Sequence, residues 1–229
     1  MNDTITEINK DTFWGLIREA KDACGQDMSA MVEYLKGRLV SMGAEQAQNF
    51  HDITQAYEDL AYKYGLWDAA EIIMEYGCSN DGFIDFRAWL IAQGKEVYLA
   101  ALADPDSLAE VEPYGDCSFE QMSYVGEYAY RQLTGKSAYE QTDQRKYKKL
   151  VAELKQDITY KDGIQFPREG AELKQFLPRL CAKYPDRWLE PHWNLDLKVV
   201  RELFYAGKVH GHWQQVCKKK NRGHGGEAR

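Results

Sequence analysis

The chain has 229 residues, enough for one large or two small domains with a full core, and at 44% apolar and 28% charged residues it lies far from the disordered regime. No apolar run approaches the roughly 18 residues that a membrane helix needs, and MNDTITEINKDTFW lacks the basic-then-apolar pattern of a secretory signal. The net charge of −7 is unevenly placed: six basic residues against one acidic from Lys208 onward carry +5, leaving −12 on residues 1–207. An acidic body disfavours nucleic acid, which asks for a basic face, and is compatible with a basic protein partner.

In chain order the sequence reads as helix after helix. FWGLIREAKDAC places Phe13, Leu16, Ile17 and Ala20 on one face, and MSAMVEYLKGRLVSM repeats the spacing with Asp27 as its N-cap. Gly43 stops that helix. A longer amphipathic run follows through Phe50, Ile53, Tyr57, Leu60 and Ala61, and then LWDAAEIIMEY, ended by Gly77 as a left-handed cap. The next helix spans Asp81 to Gln93, with Gly94 permitting close packing. Asp104–Pro105–Asp106–Ser107 reads as a further helix start, the proline lying in the first turn.

EVEPYGDCS is a loop, FEQMSYVGEYAYRQLTG a helix closed by Gly135, and TDQRKYKKLVAELKQ a solvated helix. DITYKDGIQFP, with its central Asp–Gly, reads either as a short hairpin near 158–166 or as a plain loop. Helices resume at GAELKQFLPRLCAKY and NLDLKVVRELFYAG. The expected fold is all-α, an irregular multi-helix bundle. Its expected divisions are a helical domain over 8–184, a helical extension over 185–217 and a basic, flexible tail over 218–229.

The five cysteines (24, 78, 117, 181, 217) are odd in number and never spaced as CxxC, which fits a reducing cytoplasm better than a disulfide framework. His210, His212, Cys217 and His224 match no zinc spacing, so no metal is expected. The glycines around His224 have no strand before them to make a phosphate loop, and no cofactor is expected. Cys78 with His51 could form a nucleophile–base pair, but a cysteine in a helix–helix turn is more often packed than reactive.

The polar residues crowd into GCSNDGFIDFRAWLIAQG. Cys78, Ser79, Asp81, Asp85, Arg87, Trp89 and Gln93 are the candidate binding cluster. On a helical wheel Phe83, Phe86 and Leu90 share one face, and Asp81 and Asp85 lie opposite. Arg87 has Phe83, Leu90 and Ile91 as helical neighbours, so it reads as a buried guanidinium needing carboxylate or carbonyl partners, with Glu58, Asp59, Asp68 and Glu71 the candidate acids. Asp81, Asp85, Trp89 and Gln93 then form the edge of any binding surface.

Residues 61–109, AYKYGLWDAAEIIMEYGCSNDGFIDFRAWLIAQGKEVYLAALADPDSLA, resemble the domain-of-unknown-function family 4240. The resemblance rests on Phe13–Trp14, Leu66–Trp67, Ala69–Ala70, Gly77–Cys78–Ser79, Asp81–Gly82–Phe83, Phe86–Arg87, Trp89–Leu90–Ile91, Gly94 and Asp104 to Ala109. It covers roughly residues 10–140, and FLPRLCAKY looks like the family's usual ending. Asn80 stands where the family has Asp, which weakens any scheme needing two adjacent carboxylates. The resemblance implies an all-helical fold and no particular activity.

Two functions follow as expectations. One is a binding or regulatory module presenting an acidic helical surface to a protein partner. The other is a hydrolase or transferase on a small anionic substrate, with Arg87 as anion clamp and Asp81 or Asp85 as acid/base. A carboxylate of raised pKa in a cleft would favour the enzyme, and a broad acidic surface the binder.

Overall fold

The computed structural model describes residues 5–187, and the expected extension beyond Arg187 and the basic tail lie outside them. Eleven α-helices and short 3-10 turns make up the described residues, with no strand among them. The helices are α1 Lys10–Cys24, α2 Met28–Met42, α3 Ala44–Leu60, α4 Tyr64–Ile73, α5 Asn80–Ala92, α6 Lys95–Ala103, α7 Glu120–Thr134, α8 Ala138–Gln141, α9 Gln144–Leu154, α10 Gly170–Phe176 and α11 Pro178–Lys183.

Local chemistry starts these helices. Asn9 caps α1 in a reciprocal capping box with Thr12, and Asp27 accepts from the Ala30 N–H (2.9 Å) at the start of α2. Gly135 closes α7 in the left-handed conformation. The long middle helix α3 is buried on more than one side and carries His51, Thr54 and Glu58 into the interior. Two aromatic clusters fill the space around it. In one, Phe13 and Trp14 of α1 meet Phe50 and Tyr57 of α3 and Tyr98 of α6. The Trp14 indole N–H donates to the Tyr57 hydroxyl (2.9 Å) and the Tyr98 hydroxyl to the Tyr57 carbonyl (2.6 Å), so the polar ends of these rings are satisfied. The other runs along α5, where Trp67 stacks on Phe83 (4.8 Å), followed by Phe86 and Trp89. One core joins Ile8 through Cys181.

The structure departs from the sequence reading in several places. Helix α4 ends at Ile73, short of Gly77, because the chain folds back over it: the Cys78 N–H donates to the Glu71 carboxylate (2.6 Å) and the Trp67 indole N–H to the Cys78 carbonyl (2.8 Å). Gly77 serves that turn with φ 76°, and a Cβ there would lie 2.9 Å from Glu71 Oε1. Helix α5 starts one residue earlier than Asp81, on a Ser79 cap (Gly82 N–H to Ser79 Oγ, 3.0 Å). Gly94 is a corner with φ 97° rather than a packing position, and it turns the chain into α6, an unforeseen helix.

The segment 158–166 is a loop. Beyond two local turns, from the Ile164 N–H to the Lys161 carbonyl (3.0 Å) and the Phe166 N–H to the Gly163 carbonyl (3.0 Å), its backbone bonds reach other segments, from the Lys161 N–H to the Leu102 carbonyl (3.0 Å) and from the Gly65 N–H to the Ile164 carbonyl (2.7 Å). Asp104 caps the helix start at Pro105 as its sequence implies, and the helix that follows, Pro105–Glu110, is a 3-10 one. Pro178 divides GAELKQFLPRLCAKY into α10 and α11, and the buried Asp106 carboxylate caps α11 from across the chain, accepting from the N–H groups of Arg179 (3.0 Å) and Leu180 (2.9 Å).

Candidate functional site

The turn before α5 is structural. Cys78 is buried, and burial pushes its thiol well up, with the Glu71 carboxylate adding to the effect, so the thiolate that nucleophilic chemistry needs is disfavoured. His51 sits on α3 with its ring edge-on to Tyr139 (4.3 Å), and no hydrogen bond joins it to Cys78. Ser79 is consumed as the cap. Asp81, in the first turn of α5, is exposed, where it favours the positive helix end.

Asp85 is half-buried on the same helical face. Its carboxylate accepts from the Ser118 hydroxyl (3.3 Å) and its carbonyl from the Phe119 N–H (3.1 Å). Burial raises its pKa, the Ser118 bond opposes the rise, and Glu120 and Asp81 add to it. The loop that brings Ser118 here contains a left-handed turn, with Asp116 at φ 53° and Cys117 at φ 56°. Asp116 ties it to the preceding turn by accepting from the Glu75 N–H (3.0 Å).

Arg87 is buried, as its wheel position implies, but no carboxylate holds it. Its Nε–H donates to the Phe83 carbonyl (3.1 Å) and its Nη1–H to the Glu58 carbonyl (2.8 Å), and the guanidinium lies over the rings of Tyr62 (4.8 Å) and Phe83 (5.2 Å). The Glu58 carboxyl faces α7 instead, accepting from the Ser123 hydroxyl (2.5 Å) and the Gln55 amide (3.3 Å). Burial pushes its pKa up to about 7 against the opposing pull of Ser123 and Arg87. This Glu58–Ser123 pair is the titratable centre that sequence reasoning missed, since Ser123 lies on a helix read only as amphipathic.

Trp89 and Gln93 do not share the outer face of Asp81 and Asp85. Trp89 is 1% exposed against Phe86 and Tyr114, and Gln93, 7% exposed, donates its amide to the Trp89 carbonyl (3.0 Å) and the Tyr114 hydroxyl (2.9 Å). Both are drawn inward because the loop carrying Tyr114 covers that flank of α5, a contact no wheel displays. The seven candidates therefore divide among a capped turn, an acidic pair exposed at Asp81 and half-buried at Asp85, a buried guanidinium and a buried aromatic–amide pair. They do not share one pocket.

Helix α7 packs beside α5 and extends the exposed part of the site. Met122, Val125 and Ala129 face inward, while Glu120 and Tyr128 are exposed and Tyr124 half-buried, the two tyrosine rings 6.0 Å apart. Glu120, Asp85 and Tyr124 lie within electrostatic reach of one another, as do Tyr124, Tyr128 and Tyr139. Ile84 (39% exposed), Tyr128 (40%) and Tyr139 (44%) are among the most exposed large apolar side chains. The outer sides of α5 and α7 thus carry Asp81, Asp85 and Glu120 together with Ile84 and Tyr128. The spacing Tyr124–Tyr128 was legible in SYVGEY, but a single sequence shows no side to which those rings turn.

No curated protein and no solved structure matches the chain. A family model described as "Protein of unknown function (DUF4240)" matches residues 8–132, which take in α1 through nearly all of α7 and with them the Ser79 cap, Arg87 and the acidic face. Since that match spans more than half of the 229 residues, the chain belongs to this family of unknown function.

Proposed function

We propose that the chain is a helical binding module that engages a basic protein segment through the face of α5 and α7. The observation that supports this reading is the exposure of Asp81, Ile84, Glu120 and Tyr128 on the packed helices α5 and α7, with Asp81 and Glu120 within electrostatic reach of Asp85. Carboxylates at the rim steer a cationic partner and set its register. Tyrosine faces receive lysine or arginine side chains at little entropic cost. The charge of −12 on residues 1–207 extends that attraction beyond the contact itself.

Cys24, Cys78 and Cys117 are free thiols, which supports a cytoplasmic setting. No helix among the described residues is long and apolar enough to cross a membrane.

The test is photocrosslinking from an unnatural residue at position 128, followed by titration of the purified partner. Asp81→Asn combined with Glu120→Gln should weaken binding about tenfold at low salt, and the affinity should fall with ionic strength. These exposed changes should alter stability by no more than about 0.5 kcal/mol in denaturant unfolding. Affinity indifferent to both charge and salt refutes the reading.

One observation favours the alternative, an enzyme acting on a small anionic substrate. The Glu58 carboxyl, with a pKa pushed up to about 7, is poised for proton transfer near neutrality. Against it, Glu58 and Arg87 are each 6% exposed and the guanidinium is committed to two carbonyls. Thermal stabilisation by phosphate or a small carboxylate, abolished in Arg87→Lys, would turn the choice toward the enzyme.

A further inference from the structure

Away from that face, one side of α1 and the α5–α6 corner enclose a cleft of about 450 Å³. Six charged side chains line it, three of each sign: Asp11, Asp22 and Glu96, and Arg18, Lys21 and Lys95. Lys21 and Lys95 are half-buried, as are Arg38 and Lys161, which pair with Glu19 (2.7 Å) and Asp104 (2.7 Å). None of the six cleft charges forms an ion pair among the described residues. Opposite charges that line one cavity and leave each other unpaired are arranged for a ligand carrying both signs.

Two groups carry the argument further. Lys21 is anchored, its ammonium donating to the Gln93 carbonyl (2.6 Å), and burial lowers its pKa while Asp22 and Glu96 oppose the fall. A lysine ammonium has three donors, so two of them remain for a ligand. Gln93 is more than nine-tenths buried and spends its amide N–H groups on Trp89 and Tyr114, while its Oε1 accepts no hydrogen bond and the residue forms part of the cleft wall. That oxygen is not sealed from solvent, so it can accept from a donor that enters the cleft. Trp14, whose N–H is used on Tyr57, adds an apolar wall.

We propose that this cleft binds a free α-amino acid, its carboxylate held by Lys21 with Arg18 and Lys95, and its ammonium by Gln93 Oε1 with Asp22 and Glu96. A simple anion would face three carboxylates and a simple cation three basic groups, whereas a zwitterion meets both sets. The volume lies in the range of small-molecule sites. The site is independent of the α5–α7 face, so either proposal can fail alone.

The experiment screens the twenty free L-amino acids against the full-length chain by saturation-transfer NMR. The strongest is then titrated by calorimetry beside its N-acetyl form, its C-terminal amide and acetate. The free amino acid should saturate at millimolar concentration, and each blocked form should bind about tenfold more weakly or worse. Arg18→Gln and Lys95→Gln, changed at exposed and half-exposed positions, should each weaken binding about fivefold with an unaltered circular dichroism spectrum. No saturation by any amino acid, equal affinity for a blocked form or for acetate, or indifference to both substitutions would overturn the proposal.

Discussion

Arg87 and Glu58 show how one buried charge is met by dipoles and another is avoided by keeping a proton. Arg87 rests on two carbonyls and two aromatic faces, so Arg87→Ala removes two charge-assisted hydrogen bonds and leaves a void among Tyr62 and Phe83. A loss of about 3 kcal/mol in urea unfolding is expected. Lysine should not rescue it, because one ammonium cannot reproduce the planar fork.

Glu58 has the opposite relation to pH. Its folded pKa of about 7 stands above the ordinary 4.5, so between those values the folded chain keeps a proton that the unfolded chain has lost. Its contribution to stability is therefore full below about pH 4.5 and is lost as pH rises through about 7. Glu58→Gln keeps an acceptor for Ser123 without the charge. The difference in stability between Glu58→Gln and the parent should grow in favour of the variant by about 2 kcal/mol from pH 5 to pH 8. A difference independent of pH would show that the carboxyl is ionised throughout.

Between elements, two close approaches hold the molecule together. Helix α7 crosses α3 where Gly126 meets His51, and a Cβ at Gly126 would lie 2.7 Å from the His51 backbone. Backbone cannot yield as a flexible side-chain tip can, so Gly126→Ala should cost about 2 kcal/mol in thermal unfolding despite alanine's better helix propensity. The second is the cap of α11 by Asp106. Asp106→Ala strands the N–H groups of Arg179 and Leu180 and removes a partner of the Arg179 guanidinium. It should destabilise by about 3 kcal/mol and speed amide hydrogen exchange across 178–183 before the rest of the core.

For the whole molecule, the packing reaches past the family match at residue 132. Leu154, Ile164, Leu173, Phe176, Leu177 and Leu180 belong to the same core as Phe13 and Phe50. That core runs without a break in membership from Ile8 to Cys181. The loop around Ile164 is fastened to α4 by Asp68, wholly buried against Arg168 (3.7 Å), which itself lies over Phe176 (3.4 Å). Asp68 was among the acids considered for Arg87, and its actual partner comes from a hundred residues further along the chain. Sequence neighbours could not have supplied that pairing.

Local chemistry alone decided the helical class, the caps at Asp27 and Gly135, the inward faces of α1 to α3, and the burial of Arg87. These depend on a period of 3.6 residues and on groups within one turn of each other. Tertiary structure decided the rest: that Trp89 and Gln93 turn toward Tyr114, that Arg87 reaches a carbonyl instead of a carboxylate, that Asp106 caps a distant helix, and that Tyr128 faces outward beside Tyr124. Each of these depends on which helix comes to lie against which. The alternatives differ by a few hydrogen bonds and packed rings, so only the assembled core selects among them.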